Sequence, residues 1–372
     1  MATALPTTTR ELVSTLTADG DITLSIREQA LRTLGPDDVL VEVGAAPINP
    51  SDLGLMFAGA DLAEAQEGDG SVTGRIVAGL ESMTPRFDRA MVCGNEGAGT
   101  VIATGGSDAA AALDGKVVGF ISGDAYAEYR VLHHSQCLAM NDGTTPEQAA
   151  AWFVNPLTAL GMTETMRREG HTGLIHTVGA SNLGQMLNRI CLADGIPLVN
   201  LVRRHEQAEL LESQGAEHVV DSSSGSFESD LADALRATGA TLAFDAIGGG
   251  ELAGTILAVM ERVGSEGQEY SRYGSDTRKQ VYVYGRLDPS PIVLKQRFGL
   301  SWSVGGWLLT PFLASIGDEV QRLRQRVADE ITTTFASEYG TRVSLDEAVT
   351  ADHARAYAAM ATGEKALVVP TS

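Results

Sequence analysis

Cysteine is scarce in this chain. The three present, Cys93, Cys137 and Cys191, lie far apart and none belongs to a C-x-x-C pair. That argues against a disulfide framework and against a four-cysteine zinc lobe. Lysine is also rare, four residues in 372, against 23 arginines. Acidic residues outnumber basic ones by 48 to 27, a formal charge of −21. Nucleic-acid backbones would be repelled, so no nucleic-acid partner is expected. A membrane span needs ~20 mostly apolar residues. The most apolar long stretch, "LSWSVGGWLLTPFLASIG" (300–317), is interrupted by Ser, Gly, Thr and Pro. It is expected to be a buried strand followed by a helix. The N-terminal "MATALPTTTRELVS" carries no apolar core of signal-peptide length. The expectation is a cytoplasmic protein with a small-molecule partner.

What is present is a hydrophobic fraction of 44% and 41 glycines spread without a period, which suits an α/β protein with many tight turns. The length allows two domains. The first ~140 residues have the pattern of strands and loops. "DDVLVEVGAAPINPSD" (37–52) alternates at Val39, Val41 and Val43 as a half-buried strand does, and Pro47 and Pro50 end it. Residues 60–90 show no regular pattern and are expected to be an irregular excursion. From Pro146 onward, strands such as "GLIHTV", "IPLVNLV", "ATLAFDAIGG" and "QVYVYG" alternate with helices that close on Gly. This alternation implies crossovers and a parallel sheet. An amphipathic helix, "DEVQRLRQRVADEITTTF", and a final strand, "KALVVP", follow. That tail is expected to return to the first domain. The pattern places boundaries at 1–145, 146–308 and 309–372.

"GLIHTVGASNLGQML" (173–187) is the most informative stretch. An apolar strand runs into Gly179-Ala180-Ser181-Asn182-Leu183-Gly184, and a helix follows at once. The spacing is that of G-x-G-x-x-G with Ser181 at the middle position. The first Gly allows a tight turn, the last allows close helix packing, and N–H groups at the helix start can hold a pyrophosphate. An NAD site usually places an acid at the tip of the next strand, ~20 residues on. Here "PLVNLV" ends in Arg203-Arg204. Guanidinium groups there can hold a 2′-phosphate by charge-assisted hydrogen bonds, so NADP(H) is the expected cofactor. Gly248, in "FDAIGG", is expected to permit close approach to it. Asp245 in the same run is expected to brace a turn. His176, inside "LIHTV", is expected to be a satisfied core histidine.

Five motifs in order, "INPSD", "GNEGAG", "VNPLTA", the GxSxxG turn and "FDAIGG", resemble the medium-chain dehydrogenase/reductase superfamily. Within it they resemble the zinc-independent quinone oxidoreductase and enoyl reductase branch. The resemblance covers almost the whole chain. It implies an α/β protein with a GroES-like, strand-rich catalytic domain, a Rossmann domain with a doubly wound parallel sheet, a cleft between them, and a homodimer. Zinc members of the superfamily carry a Cys near the position of Asn49, a His in a Gly-His-Glu motif, and often a Cys near the position of Asn155. By motif alignment this chain has Asn49, Asn95 and Asn155. Neutral amides do not replace thiolate or imidazole ligands, and Glu96 alone is too little, so no metal site is expected. His133-His134 is no substitute, because neighbours on a strand point to opposite faces.

Without a metal, no strong Lewis acid activates an alcohol. The resemblance then implies hydride transfer from NADPH to a quinone or other activated alkene. Asn49, Asn155 and Thr158 are the candidates for lining the nicotinamide end, although Asn49-Pro50 and Asn155-Pro156 are equally read as turn-forming Asn before Pro. Enoyl thioester reductases carry a Tyr about ten residues after this "PINPSD", and here "LGLMFAGADLAEA" has none. Tyr126 and Tyr129 are read as packing residues. Enoyl-thioester or enone reduction stays as an alternative, and so does a non-catalytic, crystallin-like role in binding NADPH.

Overall fold

The computed structural model describes residues 4–295, 297–358 and 365–371. Its strands, in chain order, begin with Thr8–Leu16 (β1), Asp21–Ala30 (β2), Asp38–Pro47 (β3), Asp61–Gly68 (β4), Ser71–Arg75 (β5) and Met91–Val92 (β6). Glu96–Thr104 (β7), Val117–Ile121 (β8), Tyr129–His133 (β9) and Cys137–Ala139 (β10) follow. Then come Leu174–His176 (β11), Leu198–Val202 (β12), His218–Asp221 (β13), Leu242–Asp245 (β14), Lys279–Val283 (β15) and Trp302–Gly306 (β16). The last two are Thr341–Val343 (β17) and Ala366–Val368 (β18). The chain forms two compact units. One runs to Val154 and resumes at Arg324; the other is Asn155–Leu323. The pattern had placed the changes earlier, at 145 and 308. The helix Val154–Arg168 belongs almost wholly to the second unit, and the helix Val320–Glu330 spans the later change.

The first unit is built on two sheets, ordered β4-β5-β2-β1-β6 and β10-β8-β7-β3-β18-β17, with β9 also pairing β3. β3 is not half-buried as its alternation suggests. It lies inside its sheet with β7, β9 and β18 along its edges, and Leu40, on the face opposite to Val39, Val41 and Val43, is as deeply buried as they are. The irregular excursion is also corrected, since β4 and β5 form an antiparallel hairpin there. Asp69-Gly70 makes its two-residue turn, with Gly70 at φ +62°. β4 escaped notice because it is an exposed edge strand rich in Ala and Glu, both poor strand formers. The final strand, β18, pairs antiparallel with the end of β3, at Leu367↔Pro47 and Val368↔Ala46.

The second unit is a six-stranded parallel sheet in the order β13-β12-β11-β14-β15-β16. This is the doubly wound order, in which the strand sequence reverses between β11 and β14 and ligands sit beyond the carboxyl ends of those strands. Helices Asn182–Asp194, His205–Ser213, Phe227–Thr238 and Leu252–Gly264 connect the strands. Ile175, Val199, Ala243 and Val281 from four adjacent strands pack with Leu231, Leu235, Ile256 and Leu257 from two of these helices. β16 is not the buried strand expected at 300–317. It is an edge strand, with Trp302 36% exposed and the flanking Leu300 and Leu308 73% and 65% exposed. Among the described residues no helix is long and apolar enough to cross a membrane.

Candidate active site

In the second unit, β11 ends at His176 and the chain turns through Thr177–Ser181 into the helix Asn182–Asp194. Two positions in this turn admit only glycine by closeness. A Cβ on Gly184 would lie 2.2 Å from the Gly179 carbonyl oxygen, and one on Gly179 would lie 2.8 Å from Asn200 Cβ on β12. Ser181 is the N-cap, and its Oγ accepts the Gly184 N–H at 3.0 Å. The middle position of the motif therefore supplies a cap and fills one first-turn donor itself. Gln185 Nε2 donates to the Ala180 carbonyl at 3.0 Å, and Gln214 Nε2 donates to Gln185 Oε1 at 2.8 Å, so the turn is held from the neighbouring helix as well. Ala180 and Leu183 are buried, while Ser181 and Asn182 are partly exposed at the lip. Close-fitting turns of this kind at a helix start are where pyrophosphates are held in dinucleotide-binding folds.

Beside it, β12 runs directly into Arg203 and Arg204. Both side chains are exposed, and neither guanidinium has a carboxylate partner among the described residues. Across the reversal of strand order, Asp245 braces its own turn. It accepts from Thr177 Oγ1 at 2.9 Å, from the Ile247 N–H at 2.9 Å and from the Gly248 N–H at 3.2 Å. Gly248 does permit a close approach, but the group approaching is the chain itself. A Cβ there would lie 2.4 Å from the Gly285 carbonyl oxygen. His176 is half satisfied. Nε2 lies 2.7 Å from Tyr284 Oη, and Nδ1 is buried without a partner. Burial pulls its pKa down to about 3, so the ring is neutral.

Asn155 and Thr158 begin the buried helix Val154–Arg168 of this unit, at 9% and 6% exposure. Neither side chain has a hydrogen-bond partner among the described residues. Asn49 belongs to the first unit, as the N-cap residue before the helix Pro50–Met56. Its Nδ2 donates to Glu96 Oε1 at 2.9 Å, and its Oδ1 is buried with no partner. The amide orientation follows from its neighbour, because a carboxylate can only accept. Asn95, by contrast, is exposed, and its Nδ2 donates to Ser51 Oγ at 3.2 Å.

Two acids organise this corner of the first unit: Asp52, which the sequence did not single out, and Glu96, which it offered only as an insufficient metal ligand. Asp52 accepts the Asn49 N–H at 2.8 Å on one oxygen and the Asn95 N–H at 2.9 Å on the other. Burial pushes its carboxyl up to about 6 in spite of those donors. Glu96 accepts from Asn49 and also from the backbone N–H groups of Phe153, at 2.7 Å, and Val154, at 3.0 Å. Burial raises its carboxyl too, opposed by the charge of Lys365 and by its three donors. One sequence signal was available, a lone acid inside the Gly/Ala-rich strand "EGAGT". Tyr126 is a packing residue whose buried hydroxyl donates to the Pro47 carbonyl at 3.0 Å. His133 and His134 do not point to opposite faces. β9 ends at His133, and the two rings lie against each other with centroids 4.5 Å apart. Among the described residues no three His, Cys, Asp or Glu side chains converge as metal ligands would.

A strand-rich unit precedes a six-stranded parallel sheet in the doubly wound order, with a glycine-bound turn after its first strand, the arrangement of dinucleotide-binding folds. Residues 35–146 match the alcohol dehydrogenase GroES-like domain. A putative NADPH:quinone reductase from Mesorhizobium loti is 25% identical, with 99% of this chain and 100% of that one aligned at a TM-score of 0.74. The mitochondrial enoyl-[acyl-carrier-protein] reductase of Bos taurus is 25% identical over 234 residues, 59% of this chain and 54% of its own length. That of Caenorhabditis elegans is 30% identical over 191 residues, 50% of this chain and 48% of its own length. The chain spans about half the length of the curated relatives it matches. The GroES-like match and these likenesses agree with the resemblance to the medium-chain dehydrogenase/reductase superfamily.

Proposed function

We propose that the protein is an NADPH-dependent oxidoreductase that passes a hydride to a quinone or another activated unsaturated carbonyl compound without zinc. The observation that carries this reading is local to the second unit. The turn Gly179–Gly184 is closed by a contact that leaves no room for a Cβ, and the next strand ends in two exposed, unpaired arginines. These features suit a pyrophosphate and a 2′-phosphate respectively. NADPH, when bound, supplies the hydride. The chain has to hold the nicotinamide, keep water away and meet the charge that develops on the acceptor oxygen. Asn49, Asn155 and Thr158 are assigned to that end: Asn49 Oδ1 is buried without a partner, and the side chains of Asn155 and Thr158 make no hydrogen bond among the described residues. An acceptor with a low-lying vacant orbital needs little beyond positioning, whereas an alcohol would need a means of becoming an alkoxide.

Enoyl reduction is the second reading, favoured by the names of the curated relatives. The absence of a Tyr in "LGLMFAGADLAEA" weighs against that branch's way of protonating carbon. We further assign a homodimer formed through β16, whose open edge and exposed Leu300, Trp302 and Leu308 suit a second copy. Three buried cysteines with no C-x-x-C pair suit a reducing compartment, the cytoplasm in this reading.

Titration of the protein with NADPH and with NADH tests the cofactor assignment. NADPH should bind more tightly, and replacing Arg203 and Arg204 together by Ala should weaken NADPH alone, by about 2 kcal/mol or roughly thirtyfold. Equal affinity for the two nucleotides would refute it.

A further inference from the structure

Glu96 is fully buried in a strand otherwise made of Gly, Ala, Thr, Val and Ile. Oε1 takes the Asn49 side-chain amide, and Oε2 takes two backbone N–H groups, those of Phe153 and Val154. All three contacts are donors, so the group that fits between them is the acceptor-only carboxylate. The positive end of the helix Val154–Arg168 lies at those amides, and the charge of Lys365, whose Nζ is buried, opposes the rise that burial gives the Glu96 carboxyl. Such an acceptor leaves Asn49 one orientation, with its NH2 towards Glu96 and Oδ1 turned away. That Oδ1 is the atom left buried without a partner. The same carboxylate holds the chain at the residues immediately before Asn155.

We propose that Glu96 is a positioning residue of the candidate active site, setting which end of the Asn49 carboxamide is presented to the reactants and anchoring the entry to the helix that bears Asn155 and Thr158. This rests on the role given to Asn49 and Asn155 above. Glutamine in its place keeps the shape and reverses one contact. If its oxygen stays with the two backbone amides, its NH2 faces Asn49, and Asn49 must flip to present a donor where it had presented an acceptor.

The test uses the full chain with NADPH as donor and 9,10-phenanthrenequinone as acceptor. In Glu96→Gln, kcat should fall by about thirtyfold or more while KM and the NADPH affinity change less than about threefold. Asn49→Ala should lower kcat by about tenfold in the wild type and less than about twofold in Glu96→Gln, because the second change removes a group already misdirected. Additive losses, or a Glu96→Gln enzyme of wild-type kcat, overturn the proposal. NMR gives a readout that needs no turnover. The Phe153 and Val154 amide protons should exchange about tenfold faster in Glu96→Gln, and the Asn49 NH2 resonances should move. Unchanged exchange and an unmoved Asn49 NH2 overturn the proposal too. Should the Gln variant fail to fold, Glu96→Asp keeps the acceptor on a shorter arm that cannot reach Asn49 and both amides together, so either the amide exchange or the Asn49 NH2 resonances should move, and neither moving overturns the proposal. A wild type that exchanges as described yet reduces no quinone refutes the proposed reaction and leaves the role of Glu96 decided by the NMR.

Discussion

Gly184→Ala sets two effects of opposite sign against each other. Alanine is the better helix former, by about 1 kcal/mol at an interior position. The added Cβ would, however, lie 2.2 Å from the Gly179 oxygen and 2.7 Å from both the Gly179 carbon and the Val178 oxygen. All three are backbone atoms, so no side chain can swing away. Restoring ordinary contact takes about 1 Å of retreat by the helix start, and such overpacking costs about 1–3 kcal/mol. The fold should therefore lose at most about 2 kcal/mol. Binding should suffer more. A 1 Å retreat takes the helix amides out of hydrogen-bond range of a pyrophosphate held by the turn. One lost bond to a charged group is worth about 1.5–3 kcal/mol, so NADPH should bind about ten- to a hundredfold more weakly. Gly54→Ala is the control, because its Cβ would meet nothing within 4 Å. Nucleotide fluorescence titration beside thermal melts measures both quantities. A folded Gly184→Ala protein that binds NADPH within twofold of the wild type would refute the cradle.

Two further outcomes are expected. His176 is neutral and buried, with its pKa pulled from 6.5 down to about 3. The unfolded chain takes up that proton first, so stability is lost as the pH falls below 6.5, by about 2 kcal/mol at pH 5. Urea unfolding at pH 8 and pH 5 should show this loss shrinking by that amount in His176→Gln, and an unchanged loss would contradict the burial argument. Trp302→Glu at the open edge of β16 should convert a dimer to a monomer in sedimentation equilibrium, and a wild type that is already monomeric at micromolar concentration would end that assignment.

The second unit was legible in the sequence because its signals are local. Each strand of "GLIHTV" or "PLVNLV" type is mostly apolar, as strands buried on both faces are, and each following helix closes on a glycine. The fold class drawn from that alternation agrees with the six-stranded parallel sheet and the strand-rich first unit. Reading failed where the signal was weak or distant. β4 is a polar edge strand whose one clear mark was the Asp69-Gly70 turn. β16 looked buried because Trp and Leu are abundant, yet it lies at an edge. The roles of Asp52 and Glu96 come from pairings across the fold. Glu96 meets Asn49 from 47 residues away and Phe153 from 57, and no local pattern encodes such a meeting. Gly248 has a reason within the chain that the sequence did not show, since a Cβ there would meet the Gly285 carbonyl.

The most direct test of the central claim is steady-state turnover of the purified protein with three substrates, each with and without a strong chelator. Consumption of NADPH should be rapid with a quinone, measurable with an enone and insensitive to the chelator, while NADP+ with a primary alcohol should give no appreciable reaction. Efficient alcohol oxidation, or quinone reduction that the chelator abolishes, would contradict the account.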